Sequence, residues 1–103
     1  MNVLYIDTRD NKRIIVSLET EKGKFREESV AHELKAQMTL PLIEKVFKRT
    51  KLKSSDIYEI KVERGPGSFT GLRVGITIAN TLAFSSQVRI NGKRLGEIET
   101  PQY

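Results

Sequence analysis

Two acidic residues end apolar runs in this chain: Asp7 closes "NVLYID" and Glu63 closes "IYEIKVE". Carboxylates paired at the ends of neighbouring strands suit Mg²⁺ and the two-metal cleavage of a phosphodiester. Asp10 and Glu33 are the only other acids near enough to join them, and Arg64, next to Glu63, would neutralise that residue more readily. A second candidate is the stretch "RGPGSFTGLRVG", Arg64 to Gly75. Its glycines at 65, 67 and 71 meet neither G-x-G-x-x-G nor G-x-x-x-x-G-K-[ST], and Leu72 stands where a phosphate-reaching lysine belongs. The amides of residues 67 to 72, with Arg73 one turn further on, could still attract an anion through a helix dipole. The competing reading makes Gly65, Pro66 and Gly67 a tight exit from a strand and Ser68 or Thr70 the helix cap. Gly71 and Gly75 then thin the helix for close packing. Spacing favours this second reading. His32, the single histidine, titrates near neutral pH but has no nucleophile paired with it by sequence, and it reads as a helix-start residue.

Composition narrows the chemistry further. With no cysteine, disulfides, thiolate metal sites and a cysteine nucleophile are excluded, and one histidine leaves little scope for a zinc site or a Ser-His-Asp triad. No catalytic residue and no metal site is therefore assigned. Eighteen Lys and Arg against thirteen Asp and Glu give a formal charge of +5, which favours RNA or acidic proteins as neighbours. The opening residues lack a basic segment followed by a long apolar one, and no apolar run reaches about 18 residues, so a soluble cytoplasmic protein is expected. At 103 residues, one domain spanning 1–103 is expected.

Elements must hold these residues in place. Residues 2 to 8 read as a strand, 12 to 20 as a second and 24 to 31 as a more polar third, joined by "RDN" and "EKG" turns. From His32 to about Thr50 the period changes to that of a helix. Leu34, Met38, Leu42 and Val46 form one stripe and Ala36, Leu40, Ile43 and Phe47 another, with Pro41 expected to kink it. "IYEIKVE" at 57 to 63 is a fourth strand, the run from Thr70 to Ser86 a second helix, and "QVRING" at 87 to 92 a fifth strand. The tail beyond it looks weakly structured. In the second helix Gly71, Gly75, Ala79 and Ala83 fall four apart, and the cylinder is apolar nearly all round. One cover would be the sheet and the other something else. The order β-β-β-α-β-α-β predicts an α/β fold, a mixed five-stranded sheet with both helices on one face, as in ribonuclease H-like domains and one lobe of actin.

Residues 64 to 84, "RGPGSFTGLRVGITIANTLAF", resemble the signature of the TsaB family, also called YeaZ, the dimerisation subunit of the bacterial tRNA threonylcarbamoyladenosine machinery. The opening "YIDT", "HELKAQMTLPLIEKV" and "LKSSDIYEIKV" support the resemblance, which covers about residues 2 to 90. It implies an actin-like lobe that does not itself catalyse transfer and that pairs through its first two helices with the catalytic subunit TsaD. Self-association through the same helices is implied too. ATP and metal are expected on partner subunits rather than on this chain, with TsaE as an ATPase partner and tRNA met only within the complex. On this basis Leu34, Met38, Leu42, Leu72, Arg73, Ile76, Asn80 and Ala83 are assigned to the partner surface and the other stripes to the sheet. Family members run well beyond this length, with a second lobe after the fifth strand. The sequence also departs from them in "HELKAQ", which lacks a serine after the histidine, and in "DTRDNK", which weakens nucleotide binding at the first hairpin.

Two other functions remain open at this stage. One is a small Mg²⁺-dependent ribonuclease H-like nuclease using Asp7 and Glu63. The other is a simple RNA-binding module, against which the scarcity of aromatics for stacking weighs.

Overall fold

A computed structural model describes residues 1–10, 12–30 and 35–102 of the chain. The helix start expected at His32, the acid Glu33 and the interface position Leu34 lie outside the described residues.

The elements follow in the expected order: β1 (Val3–Asp7), β2 (Arg13–Thr20), β3 (Gly23–Val30), α1 (Lys35–Thr50), β4 (Glu59–Val62), α2 (Phe69–Ser86) and β5 (Arg89–Ile90). They build one sheet in the order β3-β2-β1-β4-β5. The first three strands form an antiparallel meander, while β4 pairs parallel to β1 and β5 parallel to β4. This is the mixed ribonuclease H-like sheet predicted above.

Alternation along the strands explains where the core sits. Leu4 and Ile6, Ile14, Val16 and Leu18, and Ile60 and Val62 all point to one face and are buried there. Both helices cover that face: α1 lies on β2 and β3, α2 on β4, β5 and β1, and the two helices touch. Leu42, Ile43 and Val46 of α1 join Ile76, Ala79 and Ala83 of α2 in a single apolar cluster with the strands. Each fully buried aliphatic side chain there contributes roughly 1.5–3 kcal/mol. The opposite face of the sheet carries Tyr5, Asp7, Ser17, Arg26 and Glu28 and has no helix over it among the described residues.

α1 runs unbroken from Lys35 to Thr50 through Pro41, which lies on the exposed side. Lys48 and Arg49 in its last turn complement the helix dipole. α2 begins at Ser68, whose hydroxyl accepts a hydrogen bond from the Gly71 amide at 3.3 Å; of the two cap candidates, Ser68 fills the role. No helix among the described residues is long and apolar enough to cross a membrane.

Candidate functional site

The glycine-rich turn is consumed by internal packing. Gly65 precedes a cis peptide bond to Pro66 and has φ +128, a conformation that disfavours any side chain. A Cβ there would also meet the Gln102 carbonyl, which is held close because the Gln102 amide donates to the Arg64 carbonyl at 2.6 Å. Gly67 lies against the backbone of Arg9, to whose carbonyl the Ser68 amide donates at 2.8 Å. The Gly71 and Leu72 amides both donate to Ser68, so amides that an anion would need already have partners. Further in, the buried Thr8 hydroxyl donates to the Gly71 carbonyl, and a Cβ on Gly75 would fall 2.2 Å from that same hydroxyl. The two helical glycines therefore let α2 sit close on the end of β1.

Asp7 and Glu63 do come together at the adjoining strand ends, joined by two groups that the sequence reading did not pair with them. The Tyr5 hydroxyl lies 2.9 Å from Glu63 Oε1 and 3.3 Å from Asp7 Oδ2. Arg9 grips Asp7 with Nε at 3.1 Å, Nη2 at 2.9 Å and its own backbone amide at 3.0 Å, and its Nη1 lies 3.4 Å from Glu63. Burial alone would raise the Asp7 pKa, but the Arg9 bonds and charge outweigh it and hold the carboxyl below the usual range. Burial, the Glu63 hydrogen bond and the two negative charges push the Tyr5 phenol far up, so it stays protonated. Among the described residues no group of three or more ligating side chains converges on a metal position. With Arg9 between them, the carboxylates form an ion cluster rather than an open cation cradle. Arg64, expected to neutralise Glu63, turns instead to Glu99 at 3.6 Å.

The structure corrects much of the assigned partner surface. Leu42, Leu72, Ile76 and Ala83 all point inward: Leu72 is 0% and Ile76 3% exposed, and all four are buried beneath the helices. Leu42 faces the core from α1; for the three on α2 the reason is the small-residue row Gly71, Gly75, Ala79 and Ala83, whose side of the helix approaches the sheet most closely and carries Leu72 and Ile76 with it. Met38 and Arg73 are exposed. Asn80 is half-buried and faces the tail: its side-chain amide donates to the Glu99 carbonyl at 2.9 Å, and the Glu99 amide donates back to Asn80 Oδ1 at 2.8 Å. The outward side of α2 is made by Phe69, Arg73, Val74, Thr77 and Ile78, which line a shallow apolar depression of about 330 Å³. The Arg73 guanidinium lies 5.5 Å from the Phe69 ring centroid, and Phe84 stands 75% exposed further along the helix.

Glu99 is the structural residue that sequence reasoning missed. It is 3% exposed and receives the Asn91 side-chain amide at 2.7 Å and the Thr100 amide at 3.0 Å, with Arg64 and Lys93 nearby. Burial would raise its pKa, but those hydrogen bonds and cations win and lower it. Asn91 completes the anchor by pairing with both backbone groups of Val62. The tail carries no periodicity, so nothing in the sequence marked one of its acids as buried.

An α/β lobe with a ribonuclease H-like sheet, a helix layer on one face and an apolar strip outside that layer defines the class. The family model described as "TsaD: tRNA N6-adenosine threonylcarbamoyltransferase" matches residues 28–92. Curated relatives named "tRNA threonylcarbamoyladenosine biosynthesis protein TsaB" are 40% identical over 53 residues in Buchnera aphidicola subsp. Schizaphis graminum, 36% over 52 in Bacillus subtilis and 38% over 56 in Escherichia coli. These alignments cover 52%, 50% and 54% of this chain and 25%, 23% and 24% of the relatives, so the matched half of the chain corresponds to about a quarter of their length. The solved structure of YeaZ from Pseudomonas aeruginosa superposes with TM-score 0.82 at 30% identity, over 87% of this chain and 43% of that one. The chain belongs to the TsaB (YeaZ) family, within the wider group that the matching model describes.

Proposed function

We propose that this chain serves tRNA threonylcarbamoyladenosine biosynthesis in the cytoplasm as a non-catalytic scaffold, docking the outer strip of its helix layer on the catalytic subunit TsaD. The observation that carries the reading is its likeness to TsaB proteins, which are named for that pathway. The strip of Phe69, Arg73, Val74 and Thr77 supports it physically, because apolar side chains left outside a filled core gain from a partner that covers them. A second copy of the chain competes for the same strip, ATP and metal are held by partner subunits, and TsaE joins through the assembled complex.

Co-purification with TsaD tests the surface. Thr77→Glu puts a charge into the depression from an exposed position, and it is expected to abolish association while the thermal melt stays unchanged. Undiminished co-purification of both Thr77→Glu and Phe69→Ala would sink the assignment. Mg²⁺-dependent RNA cleavage by the chain alone, lost in Asp7→Asn, would overturn the non-catalytic reading.

A further inference from the structure

The end of the sheet opposite the glycine turn carries charge that partner docking leaves unused. From Lys45 to Lys53 the chain reads "KVFKRTKLK", five cations without an acid. Two of them share one acid, since Lys45 and Arg49 both pair with Glu27 on β3. Lys48, Lys51 and Lys53 are exposed and make no ion pair among the described residues, and the same holds for Lys22 in the turn between β2 and β3. The helix dipole accounts for a cation in the last turn of α1, but its effect fades within that turn and does not explain Lys51, Lys53 or Lys22.

Two of these cations border a concavity. Lys22 and Lys51 line a cavity of about 520 Å³ together with Thr20, Phe25, Arg49 and Thr50, and among the described residues Glu21 is the one acid on its wall. The Arg49 guanidinium lies over the half-buried Phe25 ring, 5.6 Å from its centroid. A guanidinium held over an aromatic ring is a cation–π contact, and the flat faces of both groups suit the packing of a further ring. Ammonium groups beside a cation–π pair in one cavity match an alternation of phosphates and bases.

The geometry points to a binding site for RNA at this end of the domain, with Lys22 and Lys51 on backbone phosphates and the Arg49–Phe25 pair against an unpaired base. The cation–π pair favours RNA over an acidic protein, which would use the lysines and leave the pair idle. The inference rests on the reading that this chain works in a tRNA pathway, and it adds which surface would touch the nucleic acid. The cavity lies by the start of β1 and the end of β2, whereas the docking strip begins beside the end of β1. Both surfaces can therefore be occupied together.

The test is fluorescence anisotropy of the chain with a labelled RNA hairpin bearing a single-stranded loop, over a salt series. Lys22→Ala/Lys51→Ala is expected to lower the slope of log affinity against log salt by about two. Phe25→Leu is expected to weaken binding about fivefold or more with the slope unchanged. Lys12→Ala/Arg94→Ala, an equal charge loss at exposed positions elsewhere, is expected to stay within about twofold of the parent. Three results would overturn the site: no RNA binding at low salt, equal weakening by the control pair, or capture of an acidic peptide in preference to RNA. No RNA binding by the unaltered chain with TsaD co-purification intact refutes this site alone, whereas RNA binding without TsaD co-purification refutes the docking surface alone.

Discussion

The two sides of α2 are both apolar, yet they do different work. The inward side carries Gly71, Gly75, Ala79 and Ala83 in a row, flanked by Leu72 and Ile76, and every one of these residues is buried. The outward side carries Phe69, Arg73, Val74 and Thr77, half or fully exposed, around a shallow depression. Hydropathy cannot separate them, because both sides are greasy. Size can, since a helix that must lie close on a strand end needs its smallest residues where backbone meets backbone. Large aliphatics beside that row are thereby drawn inward as well.

The largest expected effect comes from charging the inward side. Ile76→Glu should cost more than about 4 kcal/mol and abolish cooperative unfolding in a thermal melt, because an unpaired carboxylate would sit in the shared core. Next, Gly75→Ala should cost about 1–3 kcal/mol by chemical denaturation, since its methyl overlaps the Thr8 hydroxyl that is already committed to Gly71. Adding Thr8→Ala should recover part of that loss, and strict additivity of the two changes would refute the close-approach explanation. Asn80→Ala, on the flank between the two sides, should cost about 1 kcal/mol and make the tail more open to protease, because both its bonds to the Glu99 backbone disappear. The smallest effect belongs outside: Thr77→Glu should change stability by less than about 0.5 kcal/mol while removing partner binding.

Acid should sharpen the contrast between the apolar core and the two carboxylate anchors. Asp7 and Glu99 both have lowered pKa values in the folded chain. Their contribution is therefore complete above the unfolded values of about 3.9 and 4.3, and it is lost as pH falls through the lower folded values. Urea midpoints should hold steady from neutral pH down to about pH 5 and drop below about pH 4. Glu99→Gln should flatten part of that drop, and an unchanged acid limb would refute its role.

Strand order, sheet type and the shared helix face were legible because they follow from alternation, period and handed crossovers, rules that act along the chain. The close approach of Asp7 and Glu63 followed from the same topology. What failed depended on contacts between distant segments. Leu42, Leu72, Ile76 and Ala83 were assigned outward because a helical wheel shows two apolar stripes and does not say which one meets a strand. Arg9 rather than Arg64 neutralises the carboxylates because the chain bends back after β1, bringing its guanidinium onto both. Glu99 escaped notice because its partners Asn80, Asn91 and Arg64 lie on three separate segments.

The placing of β1 also governs the order of assembly. Its antiparallel neighbour β2 follows at once, so the meander of β1, β2 and β3 can form within microseconds of local search. Its parallel neighbour sets Val3 opposite Glu59, and that pairing must wait until all of α1 has been made and folded back. Long-range parallel pairing is slow to close, so the meander forms first as a three-stranded ribbon with one greasy face uncovered. The charged alternation of Lys24, Arg26 and Glu28 along its outer edge discourages strangers from adding a strand during that interval.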